Sequence, residues 1–326
     1  MRTLKLRIKR PADIIPRDVV IDSAGLPSTI ECHRVDHHID NGWTNVDSVA
    51  RTELGPLRQQ DIDALVTIYL DPDAIISAAL LSMALEQRVD VPAFLESDLG
   101  KVMYSASFYS DYGIGFGAFS DDINSFGNKL ELLLRDSIDR RLGEDRWRDP
   151  VQRGESHSAV FDELTSDVID IIEKQALPQA AISFENETYL KKMKDAFLRY
   201  VRLDICTEHF GLIHIIGAHR RIIPRAYFGL FEQPIIVRVI QRAMSDNEAK
   251  QVFIGVNPLI TGWESLNLEK LGSAIASLNK DWSLDGRRFV IGMDGQHRAI
   301  SELMEILIHV DPNDIIDDCS LWTVYP

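Results

Sequence analysis

The chain has 326 residues, 45% of them apolar and 26% charged, enough to bury one large or two medium cores in a soluble globular protein. A net charge of −15 argues against a surface built to hold a nucleic-acid backbone, which needs clustered Lys and Arg. Three scattered cysteines, Cys32, Cys206 and Cys319, form no CxxC pair, which excludes a zinc ribbon or thioredoxin-like centre and suits a reducing compartment.

The first residues, MRTLKLRIKRPAD, are basic but lack the apolar core of a signal peptide, and no run approaches the ~20 apolar residues of a membrane span. The expectation is a cytoplasmic protein without a membrane partner. Thr3–Ile8 alternates polar and apolar residues and predicts an edge strand, Asp18–Ile21 (DVVI) a second strand, and Asp22–Pro27 a turn. The β-prone Ser28–Ile30 run then leads into ECHRVDHHID, Glu31–Asp40. Asp36, His37, His38 and Asp40 crowd polar groups that are costly to bury unless paired, hydrated or bound to an ion. At the carboxyl end of a strand they would sit where open α/β sheets bind ligands.

Arg51–Gln60 reads as loop or irregular helix. Leu65–Leu70 (LVTIYL) predicts a buried strand, followed by Asp71-Pro72-Asp73 and a helix over Ala74–Gln87 capped by Asp73. Further helices are expected over Pro92–Tyr109, Asp122–Leu142, Ser158–Gln175 and Glu185–Tyr200, with Ser110–Phe119 as a loop. From Val201 the chain turns β-rich. Strand candidates are Leu212–Ile216, Arg225–Phe228, Ile235–Ile240, Val252–Val256 and Arg288–Ile291, and the helices are Leu268–Leu278 and Ala299–Ile308. This predicts an α/β fold: a mostly parallel sheet flanked by helices over residues 1–200, then a smaller α+β domain over 201–326.

Two constellations carry chemistry. If the strands before Asp36–His38 and Asp71–Asp73 are neighbours in a parallel sheet, carboxylates and imidazoles converge at one edge. That mixture suits Mn²⁺, Fe²⁺ or Zn²⁺ better than Ca²⁺ or Mg²⁺. The second is GMDGQHR, Gly292–Arg298, expected as a strand-to-helix turn in which glycines admit a ligand and Arg298 grips an anion. His297 is a candidate proton donor there. Arg220, Arg221 and Arg225 form a further local positive cluster.

VDHH at Val35–His38 and DPDAIISAALL at Asp71–Leu81 resemble the signature pieces of the DHH phosphoesterase superfamily, here in the inverse of that family's order. The resemblance implies a metal-dependent phosphoesterase that hydrolyses a phosphodiester or pyrophosphate bond in a small or nucleotide-like substrate. It implies Mn²⁺, or another divalent transition metal, on Asp36, His37, Asp71 and Asp73, with His38, His297 and Arg298 as catalytic groups. The expected partner is a small phosphorylated substrate, with a homodimer left open. DGQHR, Asp294–Arg298, also resembles the motif of DGQHR-domain proteins, a ParB-like group linked to DNA modification. The alternatives are therefore a DNA-modification or defence factor, or a non-catalytic DHH-like binding protein.

Overall fold

The computed structural model describes residues 4–21, 26–37, 44–112, 126–142, 155–182, 201–205, 207–216, 231–241, 248–257, 260, 265–282, 284–287, 290–310 and 315. The chain forms two compact units. One comprises Met1–Gly115 with Ser120–Asn186, and the other Phe116–Phe119 with Glu187–Pro326.

In the first unit, β1 (Lys5–Ile8), β2 (Asp18–Ile21), β3 (His33–Val35) and β4 (Ala64–Thr67) make a wholly parallel sheet in the order β1-β4-β2-β3. Burial explains the order. β2 and β4 are buried at every residue and take the interior, whereas β1 alternates exposed and buried and takes an edge. Val19, Ile21 and Leu65 join the main core on one face, while Val20, Ala64 and Val66 join a smaller core on the other.

The helices are α1 (Asn45–Arg51), α2 (Leu54–Arg58), α3 (Pro72–Leu85), α4 (Val91–Leu95), α5 (Asp98–Tyr112), α6 (Phe126–Leu142), α7 (Glu155–Lys174) and α8 (Gln179–Ile182). α3 is buried on every side from Pro72 to Ala84, so it is the central pillar of the main core. α5 and α7 pack against it, and α7 also covers β1. The α5–α6 contact is tight at Gly127. A Cβ placed there would lie 2.5 Å from Ser105 Cβ and 3.2 Å from the Val102 carbonyl oxygen.

In the second unit, β5 (Val201–Ile205), β6 (Phe210–Ile216), β7 (Ile235–Gln241), β8 (Glu248–Val256), β9 (Asp285–Arg287) and β10 (Val290–Ala299) form a mixed sheet in the order β5-β6-β7-β8-β10-β9. Among these pairs, β6 and β7 run parallel and the others antiparallel. The helices described there are α9 (Leu268–Leu278) and α10 (Ile300–His309). A parallel sheet among helices followed by a mixed sheet with helices is the expected α/β, then α+β, class.

Several local expectations are corrected. Ser28–Ile30 is not a strand. Ile30 N donates to Pro27 O at 3.1 Å, and the Arg34 guanidinium donates to the Leu26, Pro27 and Ile30 carbonyls at 3.1, 2.5 and 3.2 Å. Those carbonyls are thus engaged in a turn, and the strand begins at His33. The strands before the two motifs are not neighbours, because β2 lies between β3 and β4. Helix α3 is capped by Asp71, not Asp73. Ala74 N donates to Asp71 Oδ1 at 2.9 Å, and Pro72 occupies the first turn, where its missing N–H has no consequence.

The helix expected over Pro92–Tyr109 is two helices, because Ser97 Oγ accepts from Gly100 N at 3.0 Å and starts α5 afresh. Gly292–Arg298 is not a turn but part of β10. There Asp294 pairs with Gln251 and Arg298 with Ala249, so residues 295–297 oppose Lys250 alone in a bulge. Glu185–Tyr200, Arg225–Phe228, the 113–119 part of the expected loop, Arg220 and Arg221 lie outside the described residues.

Candidate functional site

The site builds from the carboxyl end of the parallel sheet. β3 ends at Val35, and Asp36 and His37 follow at once. Both are buried, at 2% and 1% exposure, as is Asp73 at 0% in the first turn of α3. Although β2 separates the parent strands, His37 Nδ1 lies 3.7 Å from Asp73 Oδ2. Two things close the gap that a non-adjacent strand leaves: residues 68–71 carry the chain from β4 to α3, and α1 bridges from the other side.

α1 is held by a reciprocal cap. The Thr44 hydroxyl accepts from Asp47 N, and the Asp47 carboxylate accepts from Thr44 N at 3.2 Å. The cap places Asn45 at the start of the helix, fully buried. Asn45 N donates to Asp73 Oδ2 at 3.1 Å, and His37 N donates to Asn45 Oδ1 at 3.2 Å. One residue thereby ties the loop after β3 to the start of α3.

Two further hydroxyls brace Asp73. Ser77, one turn on in α3, donates to Asp73 Oδ1 at 3.4 Å, and Ser107 from α5 donates to the same oxygen. Three residues before Ser107, on the same stripe of α5, the Tyr104 hydroxyl donates to Asp47 Oδ2 at 3.3 Å. Burial, then the charge of Asp47 and its hydrogen bond, push the Tyr104 phenol well above its ordinary range. It is a locked donor rather than a base, and one face of α5 steadies both α1 and Asp73.

The chemistry open to this arrangement follows from its donors. An imidazole nitrogen binds a borderline divalent ion at about 2.0–2.1 Å and a carboxylate oxygen at about 2.0–2.2 Å, so a separation under about 4.3 Å admits one shared ion. The His37–Asp73 pair, at 3.7 Å, fits that requirement. Among the described residues, no group of three or more His, Cys, Asp or Glu side chains gathers as a complete ligand set.

Asp71, half-buried, has Oδ1 engaged by the helix cap. His38 and Asp40 lie outside the described residues. His297 and Arg298 lie in β10 of the second unit, on backbone whose side chains are not described. Sequence reasoning missed Asn45, Ser77, Ser107 and Tyr104. The Thr44-x-x-Asp47 pattern is a capping-box signature and marks α1, and hence Asn45, in retrospect. Nothing local marks Ser107, whose role exists only once α5 packs on α3.

No protein-family model matches the chain. No curated protein matches it either. Among solved structures, a DHH-domain protein described as belonging to a family of ribosomal proteins matches over 86% of this chain, at 12% identity and a TM-score of 0.36. The match spans 62% of that protein's own chain. No helix among the described residues is long and apolar enough to cross a membrane.

Proposed function

We propose that the chain is a distantly DHH-like, divalent-metal-dependent phosphoesterase that cleaves a phosphodiester or pyrophosphate bond in a small or nucleotide-like substrate. The observation that carries this reading is the buried His37–Asp73 pair at 3.7 Å, in the two stretches that resemble the superfamily's motifs. His37 and Asp73 would supply two of the ion's ligands, and Asp36, one residue before His37, is the proposed third, with Mn²⁺ the first choice for mixed imidazole and carboxylate donors; the described side chains alone do not complete the set. A ligand role for Asp71 would fall to Oδ2, since Oδ1 caps the helix. The bound ion would supply Lewis-acid polarisation of a phosphoryl oxygen and a lowered pKa for water.

The chain's own residues do the rest. Asn45 N, Ser77 and Ser107 donate to Asp73, which fixes the direction of its lone pairs. The burial of Asp36, His37 and Asp73 excludes bulk water, so charges there act in a low dielectric. His38, next in sequence to His37, is the proposed proton-transfer group.

The test is metal analysis of protein purified without chelator, with hydrolysis of bis-p-nitrophenyl phosphate measured in added Mn²⁺. The reading expects bound Mn, Fe or Zn and Mn²⁺-stimulated hydrolysis, both lost in His37→Ala. A chain that holds none of these metals and stays inactive with Mn²⁺ is not this enzyme.

A further inference from the structure

Asn45 does more than join two loops. Its backbone N–H and its Oδ1 are both engaged, with Asp73 and with His37 N, and the residue has 0% exposure. Its Nδ2 is buried and has no hydrogen-bond partner among the described residues. The His37 N–H can be met only by an acceptor, so the carboxamide oxygen must face it and the NH₂ must face away. A buried, oriented donor left unmet is rare in native structures, because an apolar side chain would fill the same space at less cost. Asn45 touches the His37–Asp73 pair through its backbone N–H and its Oδ1, so the open donor is carried by the residue that joins that pair.

We infer that Asn45 Nδ2 is a substrate-binding donor that hydrogen-bonds a phosphoryl oxygen of the bound substrate. The inference rests on the hydrolase reading for the class of ligand, and on the orphaned amide for the residue. Chemistry favours an amide at this position. An Arg or Lys here would pair with the Asp73 carboxylate and compete with a metal ion for it. A neutral NH₂ leaves the carboxylate free and still presents two N–H groups to an oxyanion. Because Asp36 and Asp73 repel an anion, binding through Asn45 depends on a divalent cation in the site.

The experiment measures binding of inorganic phosphate to the full chain by calorimetry, with and without Mn²⁺, for the parent and for Asn45→Asp. The substitution keeps an acceptor for His37 N and replaces the donor with an oxygen that repels phosphate. The expected result is Mn²⁺-dependent phosphate binding by the parent, weakened about tenfold or more in Asn45→Asp. A second readout is independent of that variant's folding: the Asn45 side-chain NH₂ resonances of the ¹⁵N-labelled parent, assigned through Asn45→Ser, shift on phosphate addition.

Affinity within about threefold of the parent in a folded Asn45→Asp, or NH₂ resonances that do not move, overturns the inference while leaving hydrolase activity to stand on its own assay. A parent that binds no phosphate in either condition also overturns it. Phosphate binding that is lost in Asn45→Asp, in a chain that hydrolyses nothing, sustains the inference and removes the hydrolase reading instead.

Discussion

Asp73 offers the sharpest separation of scaffold from site. In Asp73→Ala, the donors from Asn45 N, Ser77 and Ser107 lose their acceptor in a fully buried position. Hydrogen bonds to a charged group contribute about 1.5–3 kcal/mol each, though not additively. The two hydroxyls can turn elsewhere, and removing a buried charge returns part of the loss. A net destabilisation of about 3–5 kcal/mol is expected.

Asp73→Asn is different. Its amide oxygen still accepts from Asn45 N, and the serine hydroxyls can accept from its NH₂. Without metal, the variant should lie within about 1.5 kcal/mol of the parent, since the lost charge–dipole attraction is offset by not burying a charge. With Mn²⁺ at about a hundred times its dissociation constant, the parent gains about 2.7 kcal/mol, which is about 5–10 °C in Tm for a unit of this size. Asp73→Asn should gain far less. The assay is differential scanning fluorimetry with and without Mn²⁺, backed by urea titration. An equal Mn²⁺ shift in Asp73→Asn refutes the ligand role. An Asp73→Ala protein within about 1 kcal/mol of the parent in the urea titration refutes the claim that three donors depend on this carboxylate.

Other expectations follow from single contacts. Gly127→Ala places a Cβ 2.5 Å from Ser105 Cβ, so α5 and α6 must separate, and a loss of about 1–3 kcal/mol is expected from the urea midpoint. Asp18 is fully buried and takes Lys9 Nζ on both oxygens, at 2.9 and 2.7 Å, with Ile15 N at 2.9 Å. Asp18→Ala should cost about 3–5 kcal/mol, and a double-mutant cycle with Lys9→Met should show coupling; additive effects would contradict the pairing. In the second unit, buried Trp282 donates from Nε1 to Glu302 Oε2 at 3.1 Å. Glu302→Ala should cost about 1–3 kcal/mol and shift the Trp282 emission to the red, whereas Glu302→Gln should keep both near the parent values.

Much of the scaffold could be read from local pattern. Asp18–Ile21 and Leu268–Leu278 fall where apolar runs and helical spacing place them, because burial on one face or on two leaves an imprint within a few residues. The caps were legible in kind but misassigned in position. Asp71-Pro72-Asp73 contains two acceptable capping residues, and the choice turns on proline's tolerance of the first turn. GMDGQHR shows the opposite failure. Its glycines suggest a turn, but Gly292 pairs in the ladder with β8 and only Gly295 falls within the bulge in the strand.

By itself the sequence determined that polar, metal-compatible side chains follow β3 and that an Asp-Pro-Asp frame opens a wholly buried helix. It also held a clue to strand order. DVVI and ALVT each carry three apolar residues in a row, which asks for cover on both faces and suits interior positions, leaving an edge for the shorter His33–Val35. What only the tertiary structure decided is the meeting of His37 with Asp73 across an intervening strand, and the bracing of Asp73 by Ser107. Those contacts depend on where α1 and α5 dock. Docking is set by the summed packing of the main core around α3, not by any residue near the motifs.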